Sequence, residues 1–172
     1  MRMASSSDRA RTRVVMTRRL DRMLSFDPTT GWLEAEAGVS IEDLLTTFVP
    51  RGFFPPVTPG TKFVTLGGAL GCDVHGKNHH VDGCFGAHVR RLKMRVADGR
   101  TLECGPDLER ELFLATVGGM GLTGQILEVE FGLRRIPTPW IWQESERVGD
   151  IDEYVGKLKE ASAAWPMTVG WL

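Results

Sequence analysis

The chain has 172 residues, of which 42% are apolar and 25% are charged, a composition typical of a globular domain that buries a core. Its formal net charge of -1 gives no electrostatic basis for binding nucleic acid or an acidic membrane. No apolar run approaches the roughly 20 residues that span a bilayer, so we expect no integral membrane segment.

The first third of the chain predicts strands followed by a helix. Val14 to Thr17 reads as a short strand, and residues 31–38 alternate apolar and polar side chains like a half-exposed strand. Ser40, with Asp43 three residues later, is a helix N-cap signal, and apolar residues then recur at helical spacing. The prolines of residues 53–60 predict an extended approach to the glycine-rich stretch that follows.

The middle of the chain predicts a hairpin, a helix and a strand. Residues 88–104 read as two strands joined by a turn at Asp98–Gly99. Residues 106–119 predict a helix that ends at glycines, and residues 121–136 predict a strand. Strands and helices that mix in this way predict an α+β or mixed α/β layer fold.

The last part of the chain follows a break at Pro137–Pro139, the best candidate for a domain boundary. Residues 137–148 predict a strand bounded by prolines, and residues 150–165 predict an amphipathic helix. Residues 167–172 look like the start of another strand.

Residues 60–80, GTKFVTLGGALGCDVHGKNHH, hold three of the four histidines and five glycines. One interpretation is a zinc site, because C-x2-H-x4-H-x3-C places metal-ligand types at near-finger spacing: Cys72, His75, His80 and Cys84. Zinc does not explain the glycines, and Lys77 puts a cation inside the pattern. The three cysteines form no CxxC motif, which favours a reducing compartment, and we expect a cytoplasmic protein.

A cradle for a phosphate or a cofactor explains more of this stretch. Glycine lacks Cβ, so its main-chain N–H groups can approach an anion closely. Thr65 can cap a short helix that begins at the glycines, with its first amides toward a pyrophosphate. The pattern is neither GxGxxG nor a Walker loop. From spacing alone, a third reading stays open, in which the glycines serve close packing and the histidines lie in loops.

The string PGTKFVTLGGALGCDVHGKNHHVDGCFGAHV at residues 59–89 resembles the FAD-binding domain of the vanillyl-alcohol-oxidase type flavoproteins. Residues 111–127 resemble a second signature of these proteins, and residues 36–45 resemble their preceding strand–helix unit. The resemblance covers most of residues 13–136. It implies an α+β fold of two subdomains that clamp an extended FAD, followed by a substrate domain over the flavin ring.

The resemblance also assigns residues to the cofactor. It implies that Gly60 lies against FAD, that residues 65–68 hold the pyrophosphate through main-chain amides, and that residues 72–75 run beside the flavin and ribityl chain. Residues 77–79 are expected at the mouth that faces the substrate, and Ile126 at the adenine side. The residues expected to bind FAD are Gly60, Thr61, Thr65, Leu66, Gly67, Gly68, Cys72, Asp73, Val74, His75, Gly76, Lys77, Asn78, Gly118, Gly121 and Ile126.

The chain departs from the family pattern at both ends. Family members carry an earlier glycine-rich loop, whereas residues 3–13 offer only MASSSDRARTR, with Asp8 as its one remnant. We therefore expect an FAD-binding domain at residues 1–136, incomplete in its first subdomain, and the beginning of a truncated substrate domain at residues 137–172. Such a segment is expected to be inactive alone. Whether the full-length protein associates with a membrane is left open by the sequence.

The implied activity is oxidation of a secondary alcohol of a sugar or similar substrate by hydride transfer to flavin. FAD is expected to bind without a covalent bond, although His75 is the candidate for attachment. The general base is expected in the later domain, so no catalytic residue is assigned in residues 1–172. An electron acceptor or a partner reductase would reoxidise the flavin. The alternative is a cofactor-free or zinc-stabilised module with a structural role.

Overall fold

A computed structural model of the chain describes residues 16–171. Most of its secondary structure lies between Met23 and Arg135, and one longer helix follows. Short 3-10 helices occupy Val49–Arg51 and Phe85–His88. The strands and α-helices are β1 Met23–Phe26, β2 Trp32–Glu36, α1 Ile41–Phe48, β3 Phe53–Phe54, α2 Leu66–Gly71, α3 His79–Asp82, β4 Val89–Arg95, β5 Thr101–Cys104, α4 Arg110–Thr116, β6 Gln125–Gly132, β7 Arg134–Arg135 and α5 Ile151–Ala164.

Five strands form one antiparallel sheet in the order β1-β2-β6-β4-β5. The predicted hairpin is confirmed, because β4 pairs with β5 around the turn at Asp98–Gly99. Strands β3 and β7 form a second, two-stranded sheet. Helices lie between the strands, so the predicted α+β class is confirmed. Among residues 16–171, no helix combines the length and the apolar character that crossing a bilayer requires.

The core lies on one face of the five-stranded sheet. Alternate residues of β2, β4 and β6 are buried there, and helices α1, α2 and α4 contribute apolar side chains to the same cluster. Phe85 and Phe131 stack near its centre, with ring centroids 4.4 Å apart. The opposite face carries ion pairs instead, among them Arg91 with Glu34 and Lys93 with Glu128. Because successive side chains of a strand point to opposite faces of the sheet, one face is apolar and buried and the other is charged.

Helix α1 begins where the sequence predicts it. The Ser40 side chain accepts a hydrogen bond from the Asp43 amide, and the Asp43 side chain accepts one from the Ser40 amide. This reciprocal capping box satisfies two donors at the helix start. The helix then passes into a 3-10 turn that ends at Gly52, whose φ of +80° lies in the left-handed region that favours glycine.

Two predicted elements are shorter than expected because the backbone turns sharply beside them. The helix expected over residues 106–119 begins only at Arg110, since Glu109 has φ of +45°. The strand expected from residue 121 begins at Gln125, because Gly121 and Gly124 both have positive φ. Such conformations interrupt both helix and strand hydrogen bonding.

The first predicted strand falls partly outside the described residues, which include neither Val14 nor Val15. Its other end is wrong, because the Leu20 amide donates to the Thr17 carbonyl and makes a turn there.

The chain after Ile136 differs most from prediction. Residues 137–148, expected as a strand, pair with no strand among the described residues, and their side chains are exposed or, at Val148, half-buried. Residues 167–171 are also not a strand. The predicted helix is confirmed as α5, and Asp150 caps it by accepting from the Glu153 amide at 2.8 Å. The division of the chain into domains at residues 136 and 137 stays a prediction.

Candidate functional site

The predicted short helix at the glycines is present as α2. Its N-cap is Thr65, whose hydroxyl accepts from the Gly68 amide at 3.2 Å. Gly67 lies where the helix crosses the end of β2, and a Cβ there would be 3.0 Å from the Cβ of Ala37. This position therefore needs glycine for close approach of two chain segments.

The first amides of α2 point into the protein. The Leu66 amide donates to the Val39 carbonyl and the Gly67 amide donates to the Ala37 carbonyl, each at 2.8 Å. With the Gly68 amide bonded to Thr65, the three N–H groups already have partners. A pyrophosphate could bind these amides only if each gave up a hydrogen bond, and the predicted contact stays a prediction. The sequence could not show this, since Ala37 and Val39 lie far away along the chain.

A second glycine segment closes the other end of α2. The Gly118 amide donates to the Leu70 carbonyl at 3.0 Å, and the Met120 amide donates to the Gly71 carbonyl at 2.8 Å. Gly118 and Gly121 both have positive φ, at +70° and +79°. Residues 118–121 and α2 thus pass close together.

Open surface borders α2 at both ends. An added Cβ at Gly60 or Gly121 would meet no atom within 4 Å among the described residues. Three large apolar side chains on the same two loops are exposed: Phe63, Met120 and Leu122. Bare backbone beside exposed apolar side chains fits a large, flat ring system better than a small polar ligand. On this observation, the residues present fit FAD.

The segment from Cys72 to Gly76 follows α2 and leads into the histidine loop, which we define as residues 75–82. Cys72 is exposed, whereas Val74 packs partly against the core. Asp73 has φ of +41°, and its carboxylate accepts from the Gly86 amide at 2.8 Å. The carboxylate is thereby directed inward, so in this segment mainly the exposed Cys72 and His75 side chains are available to a ligand.

The histidine loop presents His75 and Lys77 to solvent, as does Thr61 on the preceding loop. The rings of His75 and His79 lie 5.4 Å apart, and the His79 Nδ1 is 3.7 Å from the Cys84 Sγ. Burial and the neighbouring Asp73 carboxylate raise the pKa of the Cys84 thiol. Cys84 is therefore a neutral thiol at pH 7 and a poor nucleophile.

The zinc alternative gains no support from the geometry. Among residues 16–171, no group of three or more His, Cys, Asp or Glu side chains is placed to hold a metal ion. His80, one of the four ligands of the pattern, instead has its Nε2 3.2 Å from the carbonyl oxygen of Trp165. The four side chains whose spacing in the sequence resembles a zinc site therefore do not come together in the structure.

Asn78 is buried rather than at the mouth of a site, with 2% of its surface exposed. Its amide nitrogen donates to the Pro56 carbonyl and to the Asp82 carboxylate, both at 2.6 Å. Asn78 therefore holds the loop from inside, and its expected position at the substrate-facing mouth stays a prediction. Gly76 is required beside it, because a Cβ there would lie 2.7 Å from the Asn78 Oδ1.

Ile126 lies in β6 opposite Met94 and is nearly buried, so only its backbone is a candidate for the predicted contact. Two residues that bond to this region, Asp82 and Arg134, were not predicted from the sequence. Arg134 in β7 donates to the Asp82 carboxylate. The i, i+4 spacing of Asn78 and Asp82 was a signal that could have identified Asp82, whereas nothing local points to Arg134.

Comparison with known proteins agrees with the geometry. Residues 3–105 match the family model described as FAD binding domain. The chain is 41% identical over 148 residues to decaprenylphosphoryl-beta-D-ribose oxidase of Mycolicibacterium smegmatis, covering 84% of this chain and 32% of that protein. It is 33% identical over 160 residues to L-gulonolactone oxidase of Scyliorhinus torazame, covering 88% and 35% respectively. It is also 32% identical over 94 residues to D-2-hydroxyglutarate dehydrogenase of Escherichia coli, covering 54% and 9%.

The match of the family model over more than half the chain defines the class: the chain belongs to the FAD binding domain family. The predicted resemblance to vanillyl-alcohol-oxidase type flavoproteins is confirmed, and with it FAD as the cofactor. The chain spans about a third of the length of the first curated relatives it matches, with 32%, 33% and 35% of those proteins covered.

Proposed function

We propose that the protein containing this chain is an FAD-dependent oxidoreductase that acts on a secondary alcohol of a sugar or a similar small molecule. The family match supports the cofactor, and two relatives have names that specify oxidases of sugar-like substrates, a decaprenylphosphoryl ribose and a gulonolactone. When bound, FAD supplies the acceptor for the hydride that leaves the alcohol carbon. The contribution of this chain is to bind and orient that cofactor.

The open surface beside α2 is the observation on which the proposal rests. We assign the backbone of Gly60, Thr61, Gly118 and Gly121 to contacts with FAD, since all four residues are exposed. Exposed apolar side chains on the same loops would cover the ring system and exclude water from it. The amides of α2, which are bonded inside the protein, serve to fix the helix and the loops around it.

The histidine loop supplies the polar side chains of the proposed site. His75 and Lys77 are exposed next to the segment that begins at Cys72, so they can donate hydrogen bonds to a phosphate, a hydroxyl or a ring nitrogen. We propose non-covalent binding. A separate electron acceptor, with a partner reductase as the candidate, would complete the cycle.

Substitution of Gly60 by Ala tests the proposed cofactor contact. The position has room for a methyl group and no positive φ, so Gly60→Ala should fold like the wild type. If FAD lies against Gly60, the methyl should raise the Kd for FAD by roughly tenfold, which corresponds to about 1.4 kcal/mol. Titration of flavin fluorescence measures it, both in this chain and in the longer protein.

Gly156→Ala is the matched control, because this glycine in α5 also has open space for a Cβ but lies outside the proposed site. Its Kd for FAD should equal that of the wild type. A longer protein that takes up no FAD would contradict the proposal, and so would Gly60→Ala with unchanged affinity in a protein that does bind it. The first outcome would instead support a cofactor-free module.

A further inference from the structure

A chain of polar contacts connects the histidine loop to the small sheet. Asn78 donates to the Pro56 carbonyl and to one oxygen of the Asp82 carboxylate, each at 2.6 Å. The other oxygen of Asp82 accepts from the guanidinium of Arg134. Pro56 follows β3 by two residues, and Arg134 lies in β7, which pairs with β3. These contacts therefore form a closed circuit, by which we mean a ring of hydrogen bonds. The ring joins the two ends of α3 to Pro56, just after β3, and to Arg134 in β7, and the pairing of β3 with β7 completes it.

The carboxylate in the middle of this circuit is partly shielded and charged. The Asp82 side chain keeps 11% of its surface exposed. Burial alone would raise its pKa, but hydrogen bonds from Arg134 and Asn78 and the nearby charge of His88 hold the pKa below its usual value. The His88 Nε2 is also 2.9 Å from the Asp82 carbonyl. At neutral pH the circuit therefore contains an ionised acceptor bonded to two donors, the stronger class of hydrogen bond.

The geometry of the loop leaves this circuit little freedom. Gly76 makes room for it, because a Cβ there would lie 2.7 Å from the Asn78 Oδ1 and 2.9 Å from the Thr58 carbonyl. The residues just before Asn78 in the chain are those whose side chains reach solvent, His75 and Lys77. Fixing Asn78 from inside therefore also fixes where these two side chains begin.

We propose that Asn78, Asp82 and Arg134 are a positioning relay that sets the orientation of the exposed His75 and Lys77 side chains. The proposal rests on the proposed function for its purpose, which is to present these donors to FAD. None of the three relay residues needs to touch the cofactor. Asp82 and Arg134 act through Asn78 on the loop, so they are positioning residues rather than catalytic ones.

The variant Asp82→Asn tests the relay because it keeps the shape of the side chain. An amide offers one acceptor oxygen where the carboxylate offers two, so one of the donors, Arg134 or Asn78, loses its partner. The chain has four histidines, so their ring-proton NMR signals are few enough to follow individually. We expect the His75 signal to shift, because its ring lies 5.4 Å from that of His79 and is sensitive to small displacements.

The matched control is Asp98→Asn, which removes a carboxylate that pairs with an arginine elsewhere, Arg100 at 2.7 Å in the hairpin turn. It should leave the His75 signal unchanged. Arg134→Lys keeps the charge but loses the planar fork of the guanidinium, so it should shift the signal in the same direction by less. A loss of stability alone would change the melting temperature of either variant but not the native-state position of the His75 ring.

The affinity for FAD gives a second, separate measurement. In a protein that binds FAD, Asp82→Asn should raise the Kd by roughly tenfold, whereas Asp98→Asn should not change it. A folded Asp82→Asn variant with an unmoved His75 signal overturns the relay, whatever the affinity. A longer wild-type protein that binds no FAD, while Asp82→Asn still moves the His75 signal, would support the relay and contradict the proposed function.

Discussion

The sheet region and the segment after it differ in how their apolar side chains are used. Every buried residue of the described chain lies between Gly31 and Leu133, and the apolar ones among them form one core. Residues 137–171 contribute none, although they contain large apolar side chains. Trp140, Ile141 and Trp142 are each at least 75% exposed, and α5 has no buried residue along its length.

The two regions begin their helices with the same device. Ser40 and Asp150 each accept a hydrogen bond from the amide three residues later. Helix α1 nevertheless buries Ile41, Leu44 and Phe48, whereas α5 leaves Ile151 half exposed. Local chemistry therefore decides where a helix begins, and a partner surface decides whether its apolar face is covered.

The largest expected difference concerns aromatic side chains. Phe131→Ala removes a buried ring stacked on Phe85 and should lower the free energy of unfolding by about 3–5 kcal/mol. Trp140→Ala removes a larger ring that is 84% exposed and should change stability by no more than about 0.5 kcal/mol. Urea unfolding followed by circular dichroism measures both. Equal losses would show that residues 137–148 are packed after all.

A pair of glycines gives the next contrast. A Cβ at Gly38 would lie 2.5 Å from the carbonyl oxygens of Thr17 and Leu20, so Gly38→Ala should cost about 1–3 kcal/mol through displaced backbone. Gly156→Ala has open space and should instead stabilise α5 by up to about 1 kcal/mol. Thermal unfolding of the two variants compares them. A neutral Gly38→Ala would mean that the turn at residues 17–20 yields easily.

The two helix caps should differ in what they stabilise. Ser40→Ala should lower global stability by about 1 kcal/mol, because α1 belongs to the core. Asp150→Ala removes an equivalent bond but should only fray the start of α5. Amide hydrogen exchange separates the cases: faster exchange of core strands is expected for Ser40→Ala alone. Core exchange accelerated equally in both variants would show that α5 and the sheet unfold together.

The smallest effect concerns pH. The hydrogen bond from Arg22 holds the Glu36 pKa below its usual value of 4.5, so the stability gained is present above pH 4.5 and lost as the pH falls through the depressed pKa. Lys157, paired with Glu146, has a raised pKa and loses its contribution only as the pH rises above 10.5. Glu36→Gln should therefore flatten the acid side of a plot of melting temperature against pH, and Lys157→Gln should leave it unchanged. If the melting temperature of Glu36→Gln falls as steeply at acid pH as that of the wild type, the acid sensitivity comes from another carboxylate.

What the sequence predicted well depends on neighbours along the chain. The capping box of α1, the turn at Asp98–Gly99 and the Thr65 cap of α2 each involve residues a few positions apart. The expected FAD class also came from one continuous string, residues 59–89. Such signals can be read without knowing what packs against them.

What the sequence did not predict depends on distant partners. The α2 amides bond to Ala37 and Val39, and the relay joins Asp82 to Arg134 from 52 residues away. The strand expected over residues 137–148 failed for the same reason, because a strand exists only where another strand supplies its hydrogen bonds. Among the predicted site residues, Asn78 is buried, and burial of a polar side chain cannot be read from its type alone.

Helix α2 is held between residues 37–39, which follow β2, and residues 118–120, which come nearly 50 positions after the helix. Six residues, three of them glycine, make a helix that has little stability by itself. During synthesis on the ribosome, this part of the domain therefore cannot take its final form until residue 120 has left the exit tunnel. Until then, the proposed site beside α2 would be incomplete, and the nascent polypeptide could not bind the coenzyme there.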